Sequence, residues 1–213
     1  MDKVRYVNVD AADMQAVNAA FEKVEAKSVS CCNWSADYPY APDVKVRMFH
    51  NGGCLFLKYD VCERYTAAWA SEDMGNVWED SCCEFFISPD GNGYYNFETS
   101  CIGKLLLTHR LGRSEAVCPA PKPVLDSVIR IPSLGTECFD ERTGDNVWSL
   151  VVGIPCSALF KHRIQSWSGL DVRMNVYKCG DRLTEPHFLS WKPIGLPSPD
   201  FHCPAFFAEV SFE

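Results

Sequence analysis

The sequence lacks both a hydrophobic run of membrane-spanning length and a cluster of basic residues. No stretch approaches the roughly 18 consecutive apolar residues that a spanning helix requires. The 213 residues contain 20 Lys and Arg against 28 Asp and Glu, which gives a formal net charge of −8. Because this charge repels phosphate backbones and anionic lipids, we expect no nucleic acid and no membrane among the partners.

The start of the chain also lacks a targeting segment. Residues 1–10 do not contain the apolar stretch of roughly 7 to 15 residues that a secretory signal requires. We therefore expect a cytoplasmic protein, or an exported protein whose signal peptide has been removed.

Motifs for catalysis, cofactors and metals are absent as well. There is no nucleophile elbow, phosphate loop or dinucleotide fingerprint, and the five histidines do not show metal-ligand spacing. The run Asp90-Gly91-Asn92-Gly93 lacks the further acidic ligands of a calcium loop, so a tight turn explains it better. The sequence predicts no cofactor and no metal.

Cysteine, in contrast, is abundant, with twelve residues. Two pairs are adjacent in the sequence, Cys31-Cys32 and Cys82-Cys83, and neighbours on a strand point to opposite faces. We therefore predict free thiols that pack as small hydrophobic residues. The repeated short spacings of a zinc site do not occur, and the sequence does not favour a metal held by cysteine.

Most of the chain shows the pattern of short strands punctuated by turns. A hairpin is predicted around Asn51-Gly52-Gly53, with Val44 to His50 before it and Cys54 to Cys62 after it. Further strands are predicted in seven segments, which are 80–88, 94–101, 104–109, 124–131, 147–154, 170–178 and 205–212. This spacing predicts an all-β fold, an antiparallel β-sandwich with one N-terminal helix.

The N-terminal part differs from the rest. A short strand is predicted from Val4 to Val9, followed by a helix from Ala11 to about Lys27 with Asp10 as its cap. We expect residues 1–213 to form a single domain, with residues 1–30 as an extension of it.

A carboxylate in the middle of an apolar strand is the most informative feature of the chain. If the segment from Trp78 to Phe86 is extended, the two-residue period places Trp78, Glu84 and Phe86 on one face. An ionised carboxylate among apolar neighbours is costly unless it is hydrogen-bonded or paired. A sugar hydroxyl is one partner that could satisfy Glu84, and a core Arg or Lys is another.

The next strand determines whether more polar groups converge there. If Ser88 pairs with Tyr94 across the turn, Glu84 lies opposite Glu98 and Phe86 lies opposite Asn96. A register shift of one residue would send Asn96 and Glu98 to the other face. Asn96 could instead form a structural hydrogen bond within the hairpin, and Glu98 could face solvent.

The chain resembles the family-nine carbohydrate-binding modules and the stand-alone bacterial proteins built on that domain. The resemblance runs from about residue 30 to the C-terminus and is carried by five segments, which are VWEDSCCEFFISPDGNGYYNFETSCIG from Val77, Asn33-Trp34 with Tyr38-Pro39-Tyr40, 176–181, 186–191 and 199–204. It implies an antiparallel β-sandwich that binds a sugar end between two aromatic rings without hydrolysing it.

The resemblance also implies roles for individual residues. By position Trp78 matches one ring, Glu84 the strand carboxylate that takes sugar hydroxyls, and Trp191 the second ring. The family has an Arg and an Asn two residues apart on the following strand, where this chain has Asn96 and Glu98. Losing that Arg removes a forked donor, so the ligand can differ.

Other residues are secondary candidates for the same site. Trp69 is the substitute if Trp191 does not take part, while Arg64, Lys178 and Asp181 lie near predicted loops and could supply charge. Trp78 itself could instead close one end of the sandwich.

Three functions follow as hypotheses. The first is non-catalytic binding of a mono- or oligosaccharide, with an oligomeric state that the sequence does not specify. The second is glycoside hydrolysis by Glu84 and Glu98, whose carboxyls would stand about 5 Å apart in a retaining enzyme or roughly 6.5 to 9.5 Å apart in an inverting one. The third, from fold analogy alone, is a haem site drawn from Met48, Met174, His50 and His187.

Overall fold

The computed structural model of the protein describes residues 1–213 and contains fourteen strands and two short helices. The strands are β1 Asp2–Tyr6, β2 Lys27–Ser28, β3 Cys31–Cys32, β4 Asp43–His50, β5 Cys54–Ala68, β6 Cys82–Ser88, β7 Tyr94–Ser100, β8 Leu105–Arg110, β9 Cys118–Pro119, β10 Ile129–Pro132, β11 Phe139–Pro155, β12 Asp171–Cys179, β13 Phe188–Ser190 and β14 Ala208–Phe212. The helices are α1 Met14–Phe21 and α2 Lys122–Ser127. Neither helix has the length and apolar character needed to cross a membrane.

The strands form two layers. The first layer runs β9, β8, β7, β6, β12, β14, with β13 also paired to β12 and β3 paired to β13. The second runs β10, β11, β5, β4, with β2 added to β4. Strand β1 is the exception to the antiparallel rule, since it pairs in parallel with β14 of one layer and β4 of the other. The predicted antiparallel β-sandwich is confirmed.

The main core lies between the layers. Phe85 and Phe97 point inward from β6 and β7, and Leu57 and Tyr59 point inward from β5; all four are at most 2% exposed. Alternate residues of each strand point to this core, as the two-residue period requires. The residues between them, including Glu84, therefore point to the outer face of the first layer.

The N-terminal elements are shorter than predicted. The first strand ends at Tyr6, and α1 begins after Asp13, whose side chain accepts a hydrogen bond from the backbone of Ala16 at 3.0 Å. The predicted cap, Asp10, instead closes a turn by accepting from Ala12. The predicted helix to Lys27 is wrong, because Lys27 and Ser28 leave the helix and pair with β4.

Two other boundaries differ from the sequence prediction. Residues 124–131, predicted as one strand, form α2 and then β10. Pro121 precedes the helix with φ −67° and Pro123 lies in its first turn, where proline favours helix initiation. Strand β11 is longer than predicted and starts at Phe139, with irregular pairing near its beginning.

Candidate functional site

The site is built on the hairpin of β6 and β7. Glu84 lies directly opposite Glu98, and Phe86 lies opposite Asn96. This is the predicted register, and it is confirmed. The turn is fixed locally, since Gly93 has φ +84° and its carbonyl accepts a hydrogen bond from the Ser88 hydroxyl at 2.6 Å. Two carboxyl groups therefore lie side by side on the outer face of the first layer.

Trp78 reaches this face in a different way from the one predicted. It does not lie on a strand; it belongs to a single 3₁₀ turn, Val77–Glu79, and β6 begins only at Cys82. The carboxylate of Asp80 holds the turn by accepting from the backbone N–H of Trp69 at 2.8 Å. The Trp78 carbonyl accepts from the backbone N–H of Asp181 at 3.1 Å, which joins this turn to the end of β12.

A second hydrophobic cluster covers much of the same outer face. Phe201, from the segment after β13, stacks on Tyr177 of β12 with ring centroids 4.2 Å apart and planes 8° from parallel. The Trp34 indole N–H donates to the Leu196 carbonyl at 2.8 Å and holds this segment to the chain before β4. The segment folds back over the sheet but leaves an opening beside the two carboxyls.

This opening is a cavity of about 300 Å³. It is lined by three aromatic rings, four acids, two arginines and four other residues, which are Trp78, Phe188, Phe201, Glu84, Glu98, Asp181, Asp200, Arg110, Arg113, Ser114, Cys179, Pro199 and His202. A larger depression of about 640 Å³, beside Asp73 and Arg130, contains no aromatic ring.

Glu84, Glu98 and Asp181 have pKa values above the ordinary values of their carboxyl groups. Burial and the neighbouring Glu98 raise the pKa of Glu84 well above its ordinary value, and the Cys179 thiol donates to its Oε1 at 3.0 Å. Burial raises the pKa of Glu98 to about 7, although the Asn96 amide donates to its Oε1 at 2.8 Å. Asp181 stands at the rim, and partial enclosure raises its pKa to about 6.

The cations come from the strand beyond the hairpin. Arg110, at the end of β8, donates from Nε to the Asn96 Oδ1 at 3.2 Å and to the Thr108 hydroxyl at 2.7 Å. Arg113 forms an ion pair with Asp200 at 2.9 Å. A guanidinium thus borders the cavity although β7 lacks the Arg that the family resemblance leads one to expect.

His202 completes the polar wall. Its Nδ1 shares a hydrogen bond with the Tyr94 hydroxyl at 3.0 Å, and its Nε2 lies 4.0 Å from Glu98 Oε1. Burial, reinforced by Arg110, lowers the pKa of His202 to about 4. The imidazole is therefore neutral at pH 7 and can donate or accept a hydrogen bond.

The structure brings together only part of the candidate set. Trp78, Glu84 and Glu98 line the cavity, and Asn96 lies behind Glu98 as its hydrogen-bond donor. Asp181 is at the rim. The remaining candidates, Trp191, Trp69, Arg64 and Lys178, do not line the cavity.

The two other tryptophans have partners elsewhere. Trp191 is 9% exposed and belongs to the main core, with the Lys192 amine 4.2 Å from its ring centroid. Trp69 is half-buried, and the Arg182 guanidinium lies 5.1 Å from its ring. Phe188 and Phe201 are the rings that the cavity has in addition to Trp78.

The two secondary cations are also engaged elsewhere. Lys178 follows Tyr177, so its side chain lies on the other face of β12, fully buried and 2.8 Å from Glu63. The Glu63 carboxylate outweighs burial and raises the pKa of Lys178. Arg64 is exposed and pairs with Glu185 at 2.9 Å.

The four residues considered for haem have different neighbours. Met48 and Met174 pack in the main core. His50 contacts the Phe212 ring, and His187 shares a hydrogen bond with Lys178 at 2.8 Å. They do not converge on one pocket.

The sequence reasoning missed Arg110, Arg113, Phe188, Phe201 and His202. Phe188, Phe201 and His202 lie in the segments 186–191 and 199–204, which already carried the family resemblance. That signal could have identified the segments as walls of the site. The two arginines had no such signal.

The comparisons agree with this fold. Residues 13–212 match the family described as Carbohydrate-binding family 9. The chain is 44% identical to a candidate carbohydrate-binding protein from Bacteroides uniformis, whose crystal structure superposes with a TM-score of 0.93 and covers 100% of this chain and 99% of that one.

More distant structures share the fold. Two are of a family 9 carbohydrate-binding module from Caldicellulosiruptor kristjanssonii, in complex with glucose and with cellotriose, each at 11% identity. Their TM-scores are 0.61 and 0.60, and they cover 99% and 100% of this chain and 94% and 93% of the module. No curated protein matches the sequence. The match over nearly the whole length shows that the chain belongs to carbohydrate-binding family 9.

Proposed function

We propose that the protein binds a sugar ring in the 300 Å³ cavity, without hydrolysing it. The observation that carries the proposal is the position of a half-buried indole, Trp78, beside the buried carboxyls of Glu84 and Glu98 in one cavity. A flat aromatic surface next to a few fixed polar groups is the usual composition of a site for a small, partly polar ligand.

Trp78 supplies the apolar surface for the ring. The C–H face of a pyranose is apolar and can pack on the indole, while Phe188 and Phe201 border the same cavity. Phe201 has one face on Tyr177 and is fixed in orientation, so it adds a rigid wall.

The polar groups recognise the hydroxyls. Glu84 and Glu98 accept hydrogen bonds from sugar hydroxyls. Arg110 and Arg113 line the same cavity and donate hydrogen bonds to sugar oxygens. Hydrogen bonds are stronger in a partly enclosed site than in water, and a buried group left without its partner is costly. This set therefore selects ligands whose hydroxyls point toward the β6–β7 hairpin.

The size of the cavity limits the ligand. A volume of about 300 Å³ is at the lower end of the roughly 300–1,000 Å³ typical of small-molecule sites. We infer that one ring, free or at the end of an oligosaccharide, occupies the cavity. The relatives solved with glucose and with cellotriose are compatible with this size.

The arrangement favours binding over hydrolysis. The carboxyls of a glycosidase flank the scissile bond. Glu84 and Glu98 are opposed residues on one sheet face, so both meet the same side of a bound ring. We infer that they bind hydroxyls and do not act as an acid and a nucleophile.

Calorimetry with a panel of mono- and oligosaccharides tests the proposal. We expect Trp78→Ala to weaken binding at least tenfold, about 1.4 kcal/mol, because the stacking surface is lost. Trp69→Ala removes another half-buried indole, which lies outside the cavity, and should leave the affinity unchanged. No heat from any sugar, or equal affinity in wild type and Trp78→Ala, would refute sugar binding at this site.

A second measurement addresses hydrolysis. The wild-type protein should release no reducing sugar from the glycans that it binds. Release that disappears in Glu84→Gln would instead support the glycosidase alternative.

A further inference from the structure

Two cysteines and a glutamate converge beside the cavity, which two of them, Glu84 and Cys179, line. Cys82 and Glu84 are two residues apart on β6 and point to the same face, and Cys179 on β12 lies directly opposite Cys82. Each offers one ligand atom, and these three atoms all lie within 4.8 Å of one another. The Cys179 Sγ is 3.0 Å from Glu84 Oε1. All three residues are buried.

This spacing suits a single metal ion. Around a tetrahedral zinc with Zn–S bonds of about 2.3 Å, two sulfur ligands stand about 3.8 Å apart. Thiolate and carboxylate are both zinc ligands, and the combination of two sulfurs with a harder donor is typical of that ion. The three donors need only small side-chain movements to reach such a geometry.

We propose that Cys82, Cys179 and Glu84 bind a thiophilic divalent cation of the zinc type, with the fourth coordination position open to the cavity. Glu84 and Cys179 line the cavity, so an ion can enter from it. Asp181 also lines the cavity. The fourth position takes water, or a hydroxyl of a sugar bound above it.

The charge around the three donors supports a bound cation. Three carboxyl groups and the Cys179 thiol border this part of the cavity, and its two arginines are the only Lys or Arg side chains that line it. Arg113 is already paired with Asp200, and the Lys178 amine on the other face of β12 is paired with Glu63.

Metal binding displaces protons from the groups that coordinate the ion. Each thiol that coordinates becomes a thiolate and releases one proton to solvent, and Glu84 releases its proton where it holds one. Affinity should therefore increase with pH.

Sequence spacing does not reveal this site, because Cys179 is far in the chain from Cys82 and Glu84. Zinc sites are recognised by short, repeated cysteine spacings, whereas here the second cysteine comes from a distant strand that pairs with β6. Only the register of β6 and β12 brings the two sulfurs together.

Titration of the reduced protein with Co²⁺ tests the proposal. We expect one Co²⁺ per chain, absorption from sulfur-to-cobalt charge transfer, and displacement of the cobalt by one equivalent of Zn²⁺. Cys82→Ser and Cys179→Ser should each weaken binding by more than about 100-fold, since even the loss of an outer-sphere partner costs roughly 10- to 100-fold.

Cys83→Ser is the matched control. Cys83 adjoins Cys82 and is also fully buried, but it belongs to the main core on the other side of the sheet. This variant should keep the cobalt spectrum. Glu84→Gln keeps both sulfurs and should weaken binding while the charge-transfer absorption persists, which provides a test if a serine variant fails to fold.

Three results would overturn the proposal: no Co²⁺ or Zn²⁺ uptake by fully reduced protein, a cobalt spectrum unchanged in Cys179→Ser, or a stable Cys82–Cys179 disulfide detected by mass spectrometry in protein purified without oxidant. Sugar calorimetry on chelator-treated protein reports on the proposed function separately. Loss of one activity therefore does not imply loss of the other.

Discussion

At the scale of single residues, the opposed carboxyls of Glu84 and Glu98 make the stability of the protein depend on pH. Burial raises the pKa of Glu98 from 4.5 to about 7 in the folded protein. Between these values the folded state binds a proton that the unfolded state has released. The free energy of unfolding therefore decreases as pH rises from about 4.5 to about 7.

Glu98→Gln should remove the part of this dependence that Glu98 contributes. The amide keeps an oxygen that can accept from Asn96, but it carries no titratable proton. The free energy of unfolding of the variant minus that of wild type should be larger at pH 8 than at pH 4.5, by up to about 3 kcal/mol. The reason is that each pKa unit corresponds to about 1.4 kcal/mol. Urea denaturation of both proteins across this range measures the difference. Parallel pH profiles would contradict the raised pKa.

Lys178 carries a buried charge that stabilises the fold but does not line the cavity. Its amine is fully buried, 2.8 Å from Glu63, and Glu63 also accepts from the Trp148 indole at 2.8 Å. Lys178→Met leaves that carboxylate without its cation, and breaking such a pair typically costs about 3–5 kcal/mol.

The double variant Lys178→Met/Glu63→Gln is the control for this prediction, because it removes the isolated charge and should recover much of the loss. Urea denaturation measures both variants. Sugar affinity should stay at the wild-type value at a temperature where Lys178→Met is folded. A weaker affinity there would mean that Lys178 acts on the cavity after all.

At the scale of elements, the β6–β7 turn controls how the two carboxyls meet. A Cβ on Gly93, at φ +84°, would lie 2.5 Å from the Arg110 carbonyl, whereas a Cβ on Gly91, at φ +81°, would meet nothing within 4 Å. Both positions carry the cost of a left-handed residue, about 1–2 kcal/mol. Only Gly93→Ala adds a backbone clash.

Gly93→Ala should therefore be clearly more destabilising than Gly91→Ala. It should also weaken sugar binding, because the clash displaces the end of β8 that carries Arg110. Thermal unfolding and calorimetry on the two variants provide the comparison. Equal losses in both would show that the left-handed backbone alone determines the cost.

Only some features of these elements could be predicted from the sequence. The opposition of Glu84 and Glu98 could be predicted from the sequence around the turn, because a five-residue turn and the two-residue strand period determine the register. Trp78 was assigned to the correct site by resemblance, but its 3₁₀ turn interrupts the strand period that was used to place it. Short α2 was missed because an apolar run of that length fits either a strand or a helix.

Contacts between distant segments could not be predicted in this way. Trp191 and Phe188 belong to one short segment, and sequence alone does not show which ring turns to the core and which to the cavity. Arg110 has two partners near it in the sequence, the Thr108 hydroxyl and the Arg113 carbonyl. Its role at the site depends on β8 lying beside β7. Tertiary packing decides these positions.

At the scale of the whole molecule, β1 joins the two layers. It pairs in parallel with β14 on one side and β4 on the other, and Val4 contributes to the main core at 2% exposure. Without it, β14 and the end of β4 that β1 covers would become unprotected edges. We propose that residues 1–213 unfold as one cooperative unit and that β1 is necessary for this behaviour.

Deletion of residues 1–6 should therefore lower the free energy of unfolding by several kcal/mol, since several backbone hydrogen bonds contribute about 1 kcal/mol each and a buried Val about 1.5–3 kcal/mol. The unfolding transition, followed by tryptophan fluorescence and far-UV circular dichroism in urea, should also broaden. Asp2→Asn is the control, because it breaks the surface pairs with Lys27 and Lys192 but keeps the strand, and it should cost less than about 1 kcal/mol. A truncated protein with wild-type stability would show that the core and the remaining strand pairs hold the two layers together without β1.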